Sequence, residues 1–139
     1  MAIGVIIMEY PHVYRLYIFN YGAPIAIIQF ESSDNRVTVF TKFTDSGLIE
    51  GMAIVASLIK KFHDRKMFVV KDYVGYMGKK YIVIGMPIKP IFSPSILGFL
   101  RKLALKLDSI GDAPVQIIAR LAIREILGNK SNKYRIVFK

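Results

Sequence analysis

Between Leu48 and Phe62 the chain reads Leu-Ile-Glu-Gly-Met-Ala-Ile-Val-Ala-Ser-Leu-Ile-Lys-Lys-Phe, and its polar side chains are confined to Glu50, Ser57, Lys60 and Lys61. The segment predicts a helix. Asp45 or Ser46 supplies an N-cap, and an acid near the start with two lysines at the end suits the helix dipole. Glu50, Ser57 and Lys61 are spaced seven and four apart, so they lie along one narrow stripe. A helix resting on an ordinary protein surface pairs an apolar face with a broad polar one. Here the polar side is too narrow for that, and Gly51, Ala53 and Ala56 are small. The expectation is a buried spine: a sheet against one side, and another helix of the chain or a partner chain against the other.

The flanking segments predict that sheet. Val13–Phe19 and Pro24–Phe30 are rich in aromatic and β-branched residues, and Asn20-Tyr-Gly-Ala23 between them supplies a tight hairpin turn. Residues 2–8 carry a strand pattern interrupted by Gly4. Arg36–Phe43 alternates and reads as a further strand. Beyond His63–Lys66, the run Met67–Val74 reads as a strand, Gly75–Gly78 as a turn and Lys80–Met86 as a second strand. Pro87, Pro90 and Pro94 then end regular pairing. A helix follows from Ile96 to about Leu107, its inner side Ile96, Leu97, Leu100, Leu103, Ala104 and Leu107. A second begins after Asp112, packs through Val115, Ile118, Leu121, Ala122 and Ile126, and stops at Gly128-Asn129. Lys133–Lys139 alternates and ends in lysine, as an edge strand does. With 53% hydrophobic residues in a chain of 139, there is material for one real core. The fold class expected is α+β, a single domain over 1–139 with an antiparallel sheet, a central apolar helix and two C-terminal helices.

Several chemistries lack their residues. There is no cysteine, which removes disulfides, thiolate metal sites and a Cys nucleophile. His12 and His63 stand alone, without metal-ligand spacing. The carboxylates are scattered, no Gly-x-Ser-x-Gly elbow occurs, and a catalytic role needs a constellation rather than a lone ring. Gly75-Tyr-Met-Gly78-Lys79-Lys80 departs from a phosphate loop in spacing, lacks the Ser/Thr, and precedes a strand instead of a helix. It reads as a hairpin turn with solvated lysines. No catalytic, cofactor or metal residue is assigned, and no cofactor is expected. The N-terminus lacks a basic segment and a cleavage pattern, and no uncharged apolar run reaches the ~18–20 residues of a membrane helix. A cytoplasmic protein is therefore expected.

Charge is unevenly placed. The net charge is +10. Residues 1–59 hold three bases against five acids, whereas residues 60–139 hold seventeen against five. Such a field serves solubility, or attracts nucleic acid, anionic lipid or an acidic protein face. For nucleic acid the candidate contacts are Lys60, Arg65, Lys66, Lys79 and Lys80, with tyrosines nearby for stacking. For a membrane they are Arg101, Lys102, Lys106, Arg120 and Arg124 on the last two helices. Sheet packing is expected to use the apolar sides of those helices, which leaves only weak electrostatic attachment.

The opening Tyr14-Arg-Leu-Tyr-Ile-Phe-Asn-Tyr-Gly-Ala-Pro-Ile-Ala and the segment Ser46–Phe62 resemble the first hairpin and first helix of the longin domain and, more loosely, of roadblock proteins. The resemblance covers residues 12–110 and rests on hydrophobic pattern. It implies a longin/profilin-like arrangement with three strands between the first and second helices, of which the sequence supplies two between Met67 and Met86. It also implies a non-enzymatic scaffold that binds small GTPases or adaptor complexes and pairs with itself or a relative. The partner-binding candidates are Glu50, Ser57 and Lys61 together with Arg101, Lys102, Lys106, Arg120 and Arg124.

Overall fold

The computed structural model describes residues 13–88 and 94–139. The segment 2–8 expected as a strand, and His12, lie outside the described residues. The elements run β1 (Val13–Asn20), β2 (Ala23–Glu31), a 3-10 turn (Ser32–Asp34), β3 (Arg36–Phe40), α1 (Ser46–Lys61), β4 (Met67–Val70), β5 (Tyr73–Met77), β6 (Tyr81–Pro87), α2 (Pro94–Ile110), α3 (Val115–Leu127), a 3-10 turn (Gly128–Lys133) and β7 (Arg135–Phe138). The fold is α+β; the described residues form one mixed sheet in the order β4-β5-β6-β1-β2-β3-β7 with three α-helices.

The first hairpin forms where the sequence places it, with Leu16 opposite Ile28. Tyr21 and Gly22 both take positive φ, 51° and 83°, the twist a two-residue hairpin loop requires. β1 also pairs with β6, so the sheet's centre joins residues 13–20 to residues 81–87.

Four expectations need correction. The run Met67–Val74 is two strands: the chain turns at Lys71-Asp72, and Val70 faces Tyr73. Gly75 lies inside β5, opposite Phe68. The sheet is mixed, because β7 runs parallel to β3. Finally, α1 is covered on one side only by the described residues. Leu48, Gly51, Met52 and Val55 are buried, while Ile49 and Ile54 are 51% and 46% exposed.

Alternation along β1 shows why the C-terminal helices cannot cover α1. Tyr17 and Phe19 pack beneath α1 with Ile27, Phe68 and Ile84. Leu16 and Ile18 point the other way, into the core shared with Leu100, Leu103 and Leu107 of α2 and Ile118, Ala122 and Ile123 of α3. Successive strand residues face opposite sides of a sheet, so α1 occupies one face and the α2/α3 pair the other. α1 carries the chain from β3 to β4, across the face it covers.

Candidate functional site

On α1, Asp45 caps the first turn, accepting from Gly47 N at 2.8 Å and Leu48 N at 3.3 Å. That fixes the rotation of the helix on the sheet. Gly51 faces inward, where an added Cβ would strike the Tyr17 hydroxyl. Tyr17 in turn accepts from Arg15 Nη1 at 3.2 Å, and Arg15 Nε and Nη2 donate to Gln29 Oε1 at 3.2 and 2.8 Å. Burial pushes the nearby Tyr73 hydroxyl upward, helped by Tyr17 and Asp72 and opposed by Arg15. The sequence reading missed this polar cluster, because alternation assigns a strand residue to a face without saying what it meets. The outward side of α1 carries Glu50, Ser57 and Lys61, as the stripe implies, but also Ile49, Ala53, Ile54 and Ala56, all exposed. Ser57 Oγ donates back to the Ile54 carbonyl at 2.8 Å, so Ser57 presents little free polarity.

The eight partner-binding candidates do not form one surface. Glu50, Ser57 and Lys61 stand on the α1 side of the sheet, while Arg101, Lys102, Lys106, Arg120 and Arg124 stand on the α2/α3 side. The second group is partly engaged. Glu125 of α3 pairs with Lys106 and, at 3.8 Å, with Lys102, which ties α2 to α3. Arg120 stacks over the Phe138 ring of β7 at 5.4 Å.

The nucleic-acid candidates share one end of the sheet. Lys60 lies in the last turn of α1, Arg65 and Lys66 in the connection to β4, and Lys79 and Lys80 in the β5–β6 turn. The Lys66 carbonyl accepts from Met77 N at 2.7 Å, and the Lys80 carbonyl accepts from Tyr21 N at 2.9 Å. Tyr21, 69% exposed, is thereby brought beside the lysines. Lys61 and Arg65 flank the Phe62 ring at 5.5 and 5.9 Å. His63 Nδ1 lies 2.9 Å from the Lys60 carbonyl, which can only accept, so that nitrogen carries the proton and closes the helix end.

The β5–β6 turn presents its amides to an anion, and that anion is internal. The Asp108 carboxylate of α2 accepts from Lys79 N at 2.7 Å, Lys80 N at 2.9 Å and Tyr81 N at 3.0 Å. Tyr81 donates its hydroxyl to the Gly111 carbonyl at 2.7 Å, and burial pushes that hydroxyl's pKa up. The lysine ammonium groups therefore sit on a turn whose backbone is already satisfied.

A shallow depression of about 420 Å³ opens at the opposite end of the sheet, between Tyr14, Phe30, Ser32 and Ile88. Its carboxylate, that of Glu31, is bound by Arg36 Nε at 2.6 Å. Among the described residues no three His, Asp or Glu side chains are grouped to hold a metal ion, and no helix is long and apolar enough to cross a membrane. No protein-family model, no curated protein and no solved structure matches the chain.

Proposed function

We propose that this chain is a cytoplasmic, non-enzymatic protein-interaction module that docks a protein partner on the outward side of α1. One observation carries the reading: Ile49 and Ile54, each about half exposed, stand on either side of the Glu50/Ser57/Lys61 stripe, with Ala53 and Ala56 beside Ile49, on a helix whose inner side is already fully used. Aliphatic side chains beside small residues let a partner backbone approach closely, and covering them removes apolar surface from water. Three strands, β4 to β6, separate the first and second helices, the number the longin resemblance implies. That supports a partner of the kind longin domains take, a small GTPase, an adaptor-type protein or a second copy of the chain.

The test is affinity purification of the full chain from the cells that make it, with and without nuclease. Wild type is compared with the double variant Ile49→Glu, Ile54→Glu. A stoichiometric protein partner, or a stable dimer by light scattering, that survives nuclease and disappears in the variant is the expected result. Loss of the partner on nuclease treatment, or its retention by the variant, overturns the reading.

A second reading, a nucleic-acid-binding domain, is favoured by the grouping of Lys60, Arg65, Lys66, Lys79 and Lys80 with Tyr21 at one end of the sheet. It expects retention on DNA or RNA that falls steeply with salt and is lost in Lys66→Glu, Lys79→Glu.

A further inference from the structure

We propose that the outer surface of the α2/α3 pair docks on an anionic lipid surface. The two helices are joined by residues 111–114, pack side by side on one sheet face, and are tied by the Glu125 pairs to Lys102 and Lys106. Their inner sides fill the core. Their outer sides therefore form one continuous surface, which bears Arg101, Lys102, Lys106, Arg120 and Arg124 against the single carboxylate of Glu125.

Charge alone would give weak attachment to any polyanion. What distinguishes this surface is its exposed aliphatic content. Leu105 is 48% and Ile117 53% exposed. Leu105 follows Arg101 by four residues and Lys102 by three, and Ile117 precedes Arg120 by three, so each stands on the same side of its helix as its cations. The sequence reading left no spare apolar side chain here; the structure leaves these two. Arginine and lysine stems lie along a bilayer surface with their heads at the phosphates, while Leu105 and Ile117 enter the boundary between headgroups and acyl chains. Nucleic acid makes poor use of the same surface. Its phosphates meet the cations, but its bases want aromatic faces, and the Phe138 ring lies beneath Arg120.

The test is flotation of the full chain with vesicles of phosphatidylcholine alone and of phosphatidylcholine mixed with phosphatidylglycerol. Binding is expected to the mixed vesicles only, and to weaken with salt. The double variant Arg101→Glu, Arg124→Glu removes two cations and adds two anions, and should weaken partition by at least roughly 30-fold, the conversion of about 1 kcal/mol for each cation lost. Leu105→Ser, Ile117→Ser should weaken it without altering the charge. All four side chains are exposed, so circular dichroism should show both variants folded. Lys66→Glu, Lys79→Glu makes the same charge change elsewhere and should be far less affected. Ile49→Glu, Ile54→Glu should float like wild type, which separates this surface from protein docking on α1. The proposal is overturned by equal binding to phosphatidylcholine alone, by failure to float with either vesicle, or by insensitivity to Leu105→Ser, Ile117→Ser. Equal loss in the Lys66, Lys79 control also overturns it, as does duplex DNA that binds more tightly and is lost with the same face variants.

Discussion

Gly75 is buried in the middle of a strand because the Phe68 ring lies where its side chain would stand. That ring is itself held, stacked on Phe62 at 5.0 Å between centroids, so it cannot simply swing away. Gly75→Ala should therefore destabilise by about 1–3 kcal/mol, the usual cost of overfilling a packed site, and thermal unfolding measures it. The bare sequence pointed the other way: Gly75 and Gly78, three residues apart after the run Met67–Val74, read as a turn, and only the cross-strand partner shows why Gly75 is needed inside the strand. Glu31 provides a pH test. Its hydrogen bond and charge attraction to Arg36 hold its carboxyl below the usual value of 4.5. Between the folded and unfolded values the unfolded chain binds more protons, so stability rises with pH there. The contribution is complete above the unfolded value and is lost as pH falls through the folded one. Glu31→Gln should be slightly less stable than wild type at neutral pH, by a margin that vanishes in acid and shrinks in high salt. Urea midpoints across pH measure both effects.

Helix α1 was legible in its limits, its cap and the direction of its polar stripe, because each depends on residues within a turn of one another. Its cover was not legible. A hydrophobic pattern records what each side of a helix offers and is silent on what the rest of the chain has available to place there. In this fold the other two described helices, α2 and α3, are committed to the opposite face of the sheet, where Leu16, Ile18 and Ile28 need them. Mutation reads the division directly. Leu48→Ala, under the helix, should cost roughly 2–5 kcal/mol, whereas Ile49→Ser, one residue on, should change stability by no more than about 0.5 kcal/mol. Equal losses in thermal melts would mean that both sides are covered in the isolated chain. The β5–β6 turn makes a related point. Its two lysines were legible as a turn, but the carboxylate that organises it comes from α2, twenty-eight residues from Lys80. Asp108→Ala leaves three amides without their acceptor. It should cost about 1.5–3 kcal/mol, the range for hydrogen bonds to a charged group, with faster amide exchange at Lys79 to Tyr81.

For the whole molecule, the α+β class and the helix pair were legible because each element declares its own period. The join between distant parts was not. β1 pairs with β6, and β3 with β7, and nothing local records a partner tens of residues away. The candidate site divided for the same reason: residues assigned to one surface by charge and stripe fall on opposite faces once the sheet separates the helices. β7 shows how much rests on such a join. It is the last described strand, ends at Phe138 just before Lys139, and closes the β3 edge in register from Arg36 opposite Arg135 to Val39 opposite Phe138. Val37 and Val39 beside it are fully buried. It also supplies the ring on which Arg120 of α3 rests. Removing residues 134–139 should leave the rest of the sheet folded, since β1, β2, β6 and α2 make no hydrogen bonds through it. It would, however, turn β3 into an open edge with unpaired amides, which invites pairing with a second molecule. The truncated chain should melt at a lower temperature and self-associate with rising concentration in light scattering, while Lys139→Ala alone does neither. An unchanged melting temperature with a monomeric truncation would mean that β7 contributes no stability, and that β3 is protected from the solvent side by other means.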